Sequence, residues 1–250
     1  MLENPLTMAR VAFAIGAAWW GLLSLPVLLG VREHHGARPE TRWYQGFREL
    51  ARTARELSRY RNALLFLVAY FLYIDGVSTI LLMATPISVD IGIDSKLLLA
   101  TMLGLQLVGF PCTIFFGRLA ERFGARRMVY VALVIYGMMA LGVGAMTLSR
   151  DAEVKRALFL VVALLIGTAQ GGIQSLSRSL FGSLVPAARA AEFFGMYNIF
   201  GKFTTVLGPV LIYFAGCWWG RAEYGIVLLI VPFALGGWLL SRVRFPEKRD

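Results

Sequence analysis

The sequence predicts an all-α polytopic membrane protein with seven transmembrane helices. Three observations carry this. Apolar residues make up 58% of the 250-residue chain, and the mean hydropathy is +0.65, more apolar than a soluble domain of ordinary composition. The apolar residues are gathered into seven runs, each near the ~20 residues that a helix needs to cross a hydrocarbon core of ~30 Å. The basic residues lie between the runs, so the net charge of +10 describes loops at a membrane surface rather than a nucleic-acid interface. A membrane barrel would instead need alternating segments of ~10 residues.

The runs follow in order. Val11–Val31 is bounded by Arg10 and Arg32. It exceeds the ~7–15 residues of a signal-peptide core and lacks a small-residue cleavage site, so it reads as a spanning helix, with Pro26 as a tolerated kink. Ala63–Val89, Leu97–Phe116, Met128–Ser149, Ala157–Ser177, Phe193–Trp219 and Tyr224–Leu240 supply the other six spans. Placing the N-terminus outside and the C-terminus inside puts eighteen lysines and arginines on the cytoplasmic side and six outside, with Lys202 inside a span. That asymmetry is what the positive-inside rule requires. Trp218 and Trp219, at a run end, read as interfacial anchors.

Arg32–Arg61 is the one long polar segment, with eight arginines against Glu33, Glu40, Glu49 and Glu56. Trp43, Phe47, Leu50, Ala54 and Leu57 recur at helical spacing between Arg48, Arg52, Arg55 and Arg59. The segment therefore reads as a basic amphipathic linker on the membrane surface, in preference to a calmodulin-like or nucleic-acid-binding helix. His34 and His35 are adjacent within it and read as solvated. Cys112 and Cys217 give neither a disulfide framework nor metal spacing. No metal, cofactor or nucleic-acid partner is expected; the partners expected are the lipid bilayer and a small polar solute.

Polar residues inside the spans are the candidate functional residues, because an ionised group at mid-bilayer costs ~2.5–3.5 kcal/mol and is expected to face protein or water. Asp75 leads, with Ser78 and Thr79 three and four residues on. Its readings are a proton- or cation-accepting carboxylate and a structural partner. Lys202 lies nine residues past Phe193, about 13 Å along a helix, too deep for full snorkelling, and Asn198, Lys202 and Thr205 share one helical face. Asp75 and Lys202 fall at comparable depths in opposite-running helices, so a coupled pair in a shared polar cavity is expected. Gln170, Gln174 and Ser177 recur at one face of the fifth span, beside Gly171 and Gly172, which suit close helix contact. Gln106 is isolated and a weaker candidate.

Between the third and fourth spans lies GRLAERFGARR, Gly117–Arg127, a charged turn in which Gly117 and Gly124 suit close approach and reversal. It resembles the loop signature of the major facilitator superfamily at Gly117, Glu121, Arg122, Gly124, Arg126 and Arg127, with Glu121 where the family more often has Asp. FLVAYFLYIDGVSTI at 66–80, GGIQSLSRSLF at 171–181 and AEFFGMYNIFGKF at 191–203 narrow the resemblance to the vacuole-effluxer-like branch, over about residues 63–240.

The resemblance implies a fold of two six-helix halves joined by a cytoplasmic loop. Residues 1–31 then correspond to the sixth helix, 32–61 to the central linker and 62–250 to the C-terminal six-helix half. The family's first five helices have no counterpart, so a missing N-terminal half is an expected partner. The implied function is secondary transport of a small polar solute, possibly amino-acid efflux, ion- or proton-coupled and by alternating access, in a bacterial cytoplasmic membrane. Glu121 and the loop arginines would engage helix ends between the halves. Two other classes fit less well. A retinal-binding photoreceptor would use Lys202 and Asp75, but expects its lysine in the last helix. An intramembrane enzyme lacks a base near any serine, since both histidines lie in the linker.

Overall fold

The computed structural model describes residues 5–30, 48, 52–90, 92–220 and 224–246. Regular structure among these residues is entirely helical, and seven stretches are long and apolar enough to span a membrane. The chain divides into two compact units, residues 1–46 and 47–250. The first contains α1 (Pro5–Gly30). Pro26 lies inside α1, and the Ser24 hydroxyl donates to the Trp20 carbonyl at 2.8 Å. His34, His35, Trp43, Phe47 and Leu50 lie outside the described residues.

The second unit contains the other six spans. They are α2 (Arg61–Asp90), α3 (Ser95–Phe123), α4 (Ala125–Leu148), α5 (Ala152–Leu184), a sixth span made of α6 (Ala190–Lys202) and α7 (Leu207–Trp219), and a seventh made of α8 (Tyr224–Leu228) and α9 (Ile230–Arg242). The helices overrun the apolar runs because a helix ends at a cap, not at the edge of the hydrocarbon. Asp94 and Asp151 supply two starts: their carboxylates accept from the Lys96 and Leu97 amides and from the Glu153 amide, satisfying first-turn donors that would otherwise be orphaned.

The helix α2 is the hub. It packs along α9 and also touches α5, α6 and α7, while α5 packs against α3 and α4. Phe66, Leu67, Tyr73 and Val77 of α2 are all buried without residual exposure. In contrast, α3 is the least buried span after α1, and leaves Leu103, Leu107 and Phe110 exposed. Small residues set the closest approaches. A Cβ at Gly76 would lie 2.6 Å from the Phe233 ring of α9, and one at Gly172 would lie 2.5 Å from Phe116 of α3. One at Gly171 would collide with Thr113. Gly171 and Gly172 thus make the close contact read from the sequence, in the manner of small-residue packing between membrane helices.

Two expectations are corrected here. Gly117–Arg127 is not an extended turn: α3 continues through Phe123, α4 begins at Ala125, and Gly124 alone reverses the chain at φ +92°. Gly117 is helical, and a Cβ there would meet nothing. In the described part of the linker, residues 52–57 are helical, but the inward face is Thr53 and Leu57, while Ala54 is exposed. That turn packs on protein. Glu56 pairs with Arg189, and Thr53 donates to Glu192 at 3.4 Å. Tyr60 meets the Phe193 ring edge-on at 5.4 Å.

Gly225→Ala should therefore destabilise the unit by about 1–3 kcal/mol, as overpacking does, because the new methyl would strike the Ile212 backbone of α7. Gly104→Ala, where a Cβ has open space, should be neutral or stabilising through helix propensity. Thermal unfolding of the two variants in detergent checks the opposite signs.

Candidate functional site

The sixth span breaks where its sequence forbids a continuous helix. Pro209 has no amide N–H, and its ring would clash with the carbonyl four residues earlier. After Lys202 the chain leaves helical geometry, and α7 starts afresh at Leu207. The break exposes first-turn amides within a span, where no bulk water can satisfy them. Asp75 of α2 takes them. Its Oδ1 accepts from the amides of Val206 and Leu207, both at 3.1 Å, and its Oδ2 accepts from Gly208 at 2.7 Å. The next residue is Pro209, which has no donor to place. Asp75 is fully buried, and its charge is met by three charge-assisted hydrogen bonds and the positive end of the α7 dipole. One turn on, Thr79 is buried against Gly208, where any Cβ would collide with its hydroxyl.

The expected Asp75–Lys202 pair is not formed. The carboxylate points into the α7 N-terminus, whereas Lys202 ends α6 and faces a cleft. Lys202 makes no ion pair among the described residues. Thr205 falls beyond the end of α6, in the break, and so does not extend the face of Asn198 and Lys202. Nor does Ser177 share a surface with Gln170 and Gln174. It is buried and hydrogen-bonded to the Tyr73 hydroxyl of α2 at 2.6 Å.

The cleft has a volume of about 630 Å³ and lies between α2, α5 and α6. Its polar lining includes Tyr70, Ser78, Gln174, Arg178, Asn198 and Lys202. Behind it stands an aromatic wall. Tyr70 stacks on Tyr197 at 4.4 Å, Tyr197 stacks on Phe181 at 5.1 Å, and the Arg178 guanidinium lies 5.1 Å from the Phe194 ring centre. A second, smaller cleft of about 320 Å³ runs between α3 and α5, with Gln106, Thr113, Gln170 and Gln174 as its polar lining. Gln174 lines both, so the two clefts adjoin.

Sequence reasoning missed Arg178. It falls just beyond the Ala157–Ser177 run, but α5 continues to Leu184. The signal was present, since Gln170, Gln174 and Arg178 recur every four residues. In the Gly117–Arg127 motif, Arg126 donates to the Ser241 carbonyl at 2.7 Å, satisfying the C-terminal end of α9, and lies 5.8 Å from the Phe245 ring. Glu121, Arg122 and Arg127 are exposed, and Glu121 has no ion pair among the described residues.

Known proteins resemble this chain over most of its length. The family model described as "Vacuole effluxer Atg22 like" matches residues 3–249. A protein of Bacillus subtilis (strain 168) named as an uncharacterized MFS-type transporter, YxiO, is 40% identical over 241 residues, covering 96% of this chain and 54% of that protein. Autophagy-related protein 22-1 of Neosartorya fischeri is 24% identical over 237 residues, covering 84% of this chain and 38% of its own. Autophagy-related protein 22 of Eremothecium gossypii is 26% identical over 222 residues, covering 81% and 43%. The chain thus spans about half the length of the bacterial relative and less of the fungal ones. No solved structure matches.

The geometry predicts the energetics of Asp75. Asp75→Asn turns an amide NH₂ toward backbone donors and should cost about 1–3 kcal/mol, and Asp75→Ala, which orphans all three buried amides, should cost more. Lys202→Ala should hardly change folding. A double-mutant cycle on thermal unfolding should find the Asp75 and Lys202 effects additive within about 0.5 kcal/mol.

Proposed function

Since the chain belongs to the vacuole effluxer Atg22-like family, we propose that it forms part of a secondary transporter moving a small polar solute across a bacterial cytoplasmic membrane. The observation that carries this reading is the polar cleft. Hydroxyl, amide and cationic groups from three helices converge on one cleft within the spans. A static bundle would have no reason to hold Lys202 and Arg178 in a cleft inside the span region, given the cost of polar groups at that depth. In a transporter such groups line a solute path.

In this reading, Ser78, Gln174, Asn198 and Lys202 contact the solute, and Gln106 and Gln170 extend the path between α3 and α5. Asp75 and Thr79 act through α7 rather than as walls of the cleft. Protonation of Asp75 would remove one charge-assisted acceptor and loosen the first turn of α7, which is a route for proton coupling. The arginine-rich end, carrying Glu121 to Arg127, faces the cytoplasm, where Glu121, Arg122 and Arg127 meet helix ends of a second transporter half. The extra length of the relatives supports such a half, and alternating access requires two bodies around one site. Amino-acid efflux is the activity that the effluxer relatives favour.

Disrupting the gene that encodes the chain should raise the cellular content of at least one small polar solute and lower its appearance in the medium, read by mass spectrometry. An unchanged solute profile under amino-acid excess would reject the reading. The orientation is checked separately. With Cys112 and Cys217 replaced by serine, Arg122→Cys in intact cells should resist an impermeant thiol reagent and react after permeabilisation, whereas reaction in intact cells would invert the topology.

A further inference from the structure

The two cations of the cleft lack acids. Three carboxylates of the elements around the cleft are held by other partners. Asp75 is bound by the amides of Val206, Leu207 and Gly208. Glu192 pairs with Arg189 at 2.6 Å, and Glu56 pairs with Arg189 and with Arg52. The cleft lining contains no acidic residue. Neither Arg178 nor Lys202 has an ion-pair partner among the described residues.

Their spacing along the fold is ordered. The helices α5 and α6 run in opposite directions and meet at 185–189. Measured from that end at 1.5 Å per residue, Arg178 lies about 9 Å in, Asn198 about 12 Å, Gln174 about 15 Å and Lys202 about 18 Å. Two long cationic side chains therefore bracket two amides on neighbouring helices. The guanidinium is braced against the Phe194 ring, which restrains it and lowers the entropic cost of holding a ligand.

We propose that the cleft is a carboxylate site: a small solute places its carboxylate between Arg178 and Lys202, with Gln174 and Asn198 hydrogen-bonding its remaining polar groups. This rests on the reading of the cleft as the solute site and adds the class of solute. A solute bearing only an ammonium finds repulsion from two cations and no acid to receive it. An amino acid is accepted by its carboxylate, and its ammonium is met only by amide and hydroxyl oxygens. A simple short-chain carboxylate fits the same anchor.

The test uses the purified chain in phosphatidylcholine nanodiscs, with equilibrium dialysis of radiolabelled probes. The probes are the proteinogenic amino acids, each beside its amide, which lacks the carboxylate, and its deaminated acid, which lacks the ammonium. At least one amino acid and its deaminated acid should bind, with the amide about tenfold weaker or worse. Arg178→Gln and Lys202→Gln should each weaken binding of the acid by about tenfold, and Arg178→Lys and Lys202→Arg should recover part of it, which separates lost charge from lost folding. Equal binding of acid and amide, unchanged by Arg178→Gln and Lys202→Gln, would overturn the carboxylate assignment while leaving the cleft as a solute site. Absence of binding by every carboxylate probe would also overturn it. The broader reading would fall with it only if gene disruption leaves the solute profile unchanged.

Discussion

The structure depends on one interaction: the Asp75 carboxylate closing the N-terminus of α7. A span interrupted at 203–206 leaves backbone donors with no water to meet them, and each unsatisfied group at that depth is costly. A buried carboxylate alone is costly too. Together they cancel much of each other's cost, because three amides and an aligned helix dipole converge on two oxygens. The arrangement explains why Pro209 is tolerated in a span. It also explains why Gly208 has no side chain, since the approach of α2 to α7 leaves no room for a Cβ beside Thr79.

That contact makes α2 more than a buried helix. From one end to the other it carries Asn62, whose Oδ1 receives the Arg244 amide at 3.5 Å, then Tyr70 in the cleft, Tyr73 bonded to Ser177, Asp75 under α7, and Gly76 against Phe233. Each of these joins α2 to a different partner segment. The helix therefore couples the cleft wall, the α7 hinge and the α9 packing face through one rigid element. Asp75 and the cleft-lining Tyr70, Ile74 and Ser78 lie within about a turn and a half of the same helix.

Much of this was legible in the sequence. Seven charge-poor runs imply seven spans because hydropathy and helix length are set by the same bilayer. Gly171 and Gly172 implied a close helix crossing, and Thr113 and Phe116 fill it. Three readings failed for physical reasons. A run of apolar residues does not reveal where a helix ends, so the run ending at Ser177 hides that Arg178 is helical. Continuous hydropathy over 193–219 hides a break that Gly208-Pro209 announces only through backbone chemistry. Depth alone cannot choose the partner of Asp75, because a free amide row is as good an electrostatic partner as an ammonium, and nothing in the side-chain sequence displays it.

The backbone solution at Asp75 also decides the electrostatics of the cleft. Had Asp75 paired with Lys202, the site would carry one net charge and an internal acid–base switch. Because the carboxylate is consumed by peptide dipoles, which carry no net charge of their own, the positive charges of Lys202 and Arg178 are left uncompensated by side chains. A cleft with two cations, two amides and no acid is complementary to a compact anion. The same hydrogen bonds that let a span break thus leave the neighbouring cleft with two cations and no acid. The link between hinge and charge lies in the choice of partner made by a single aspartate.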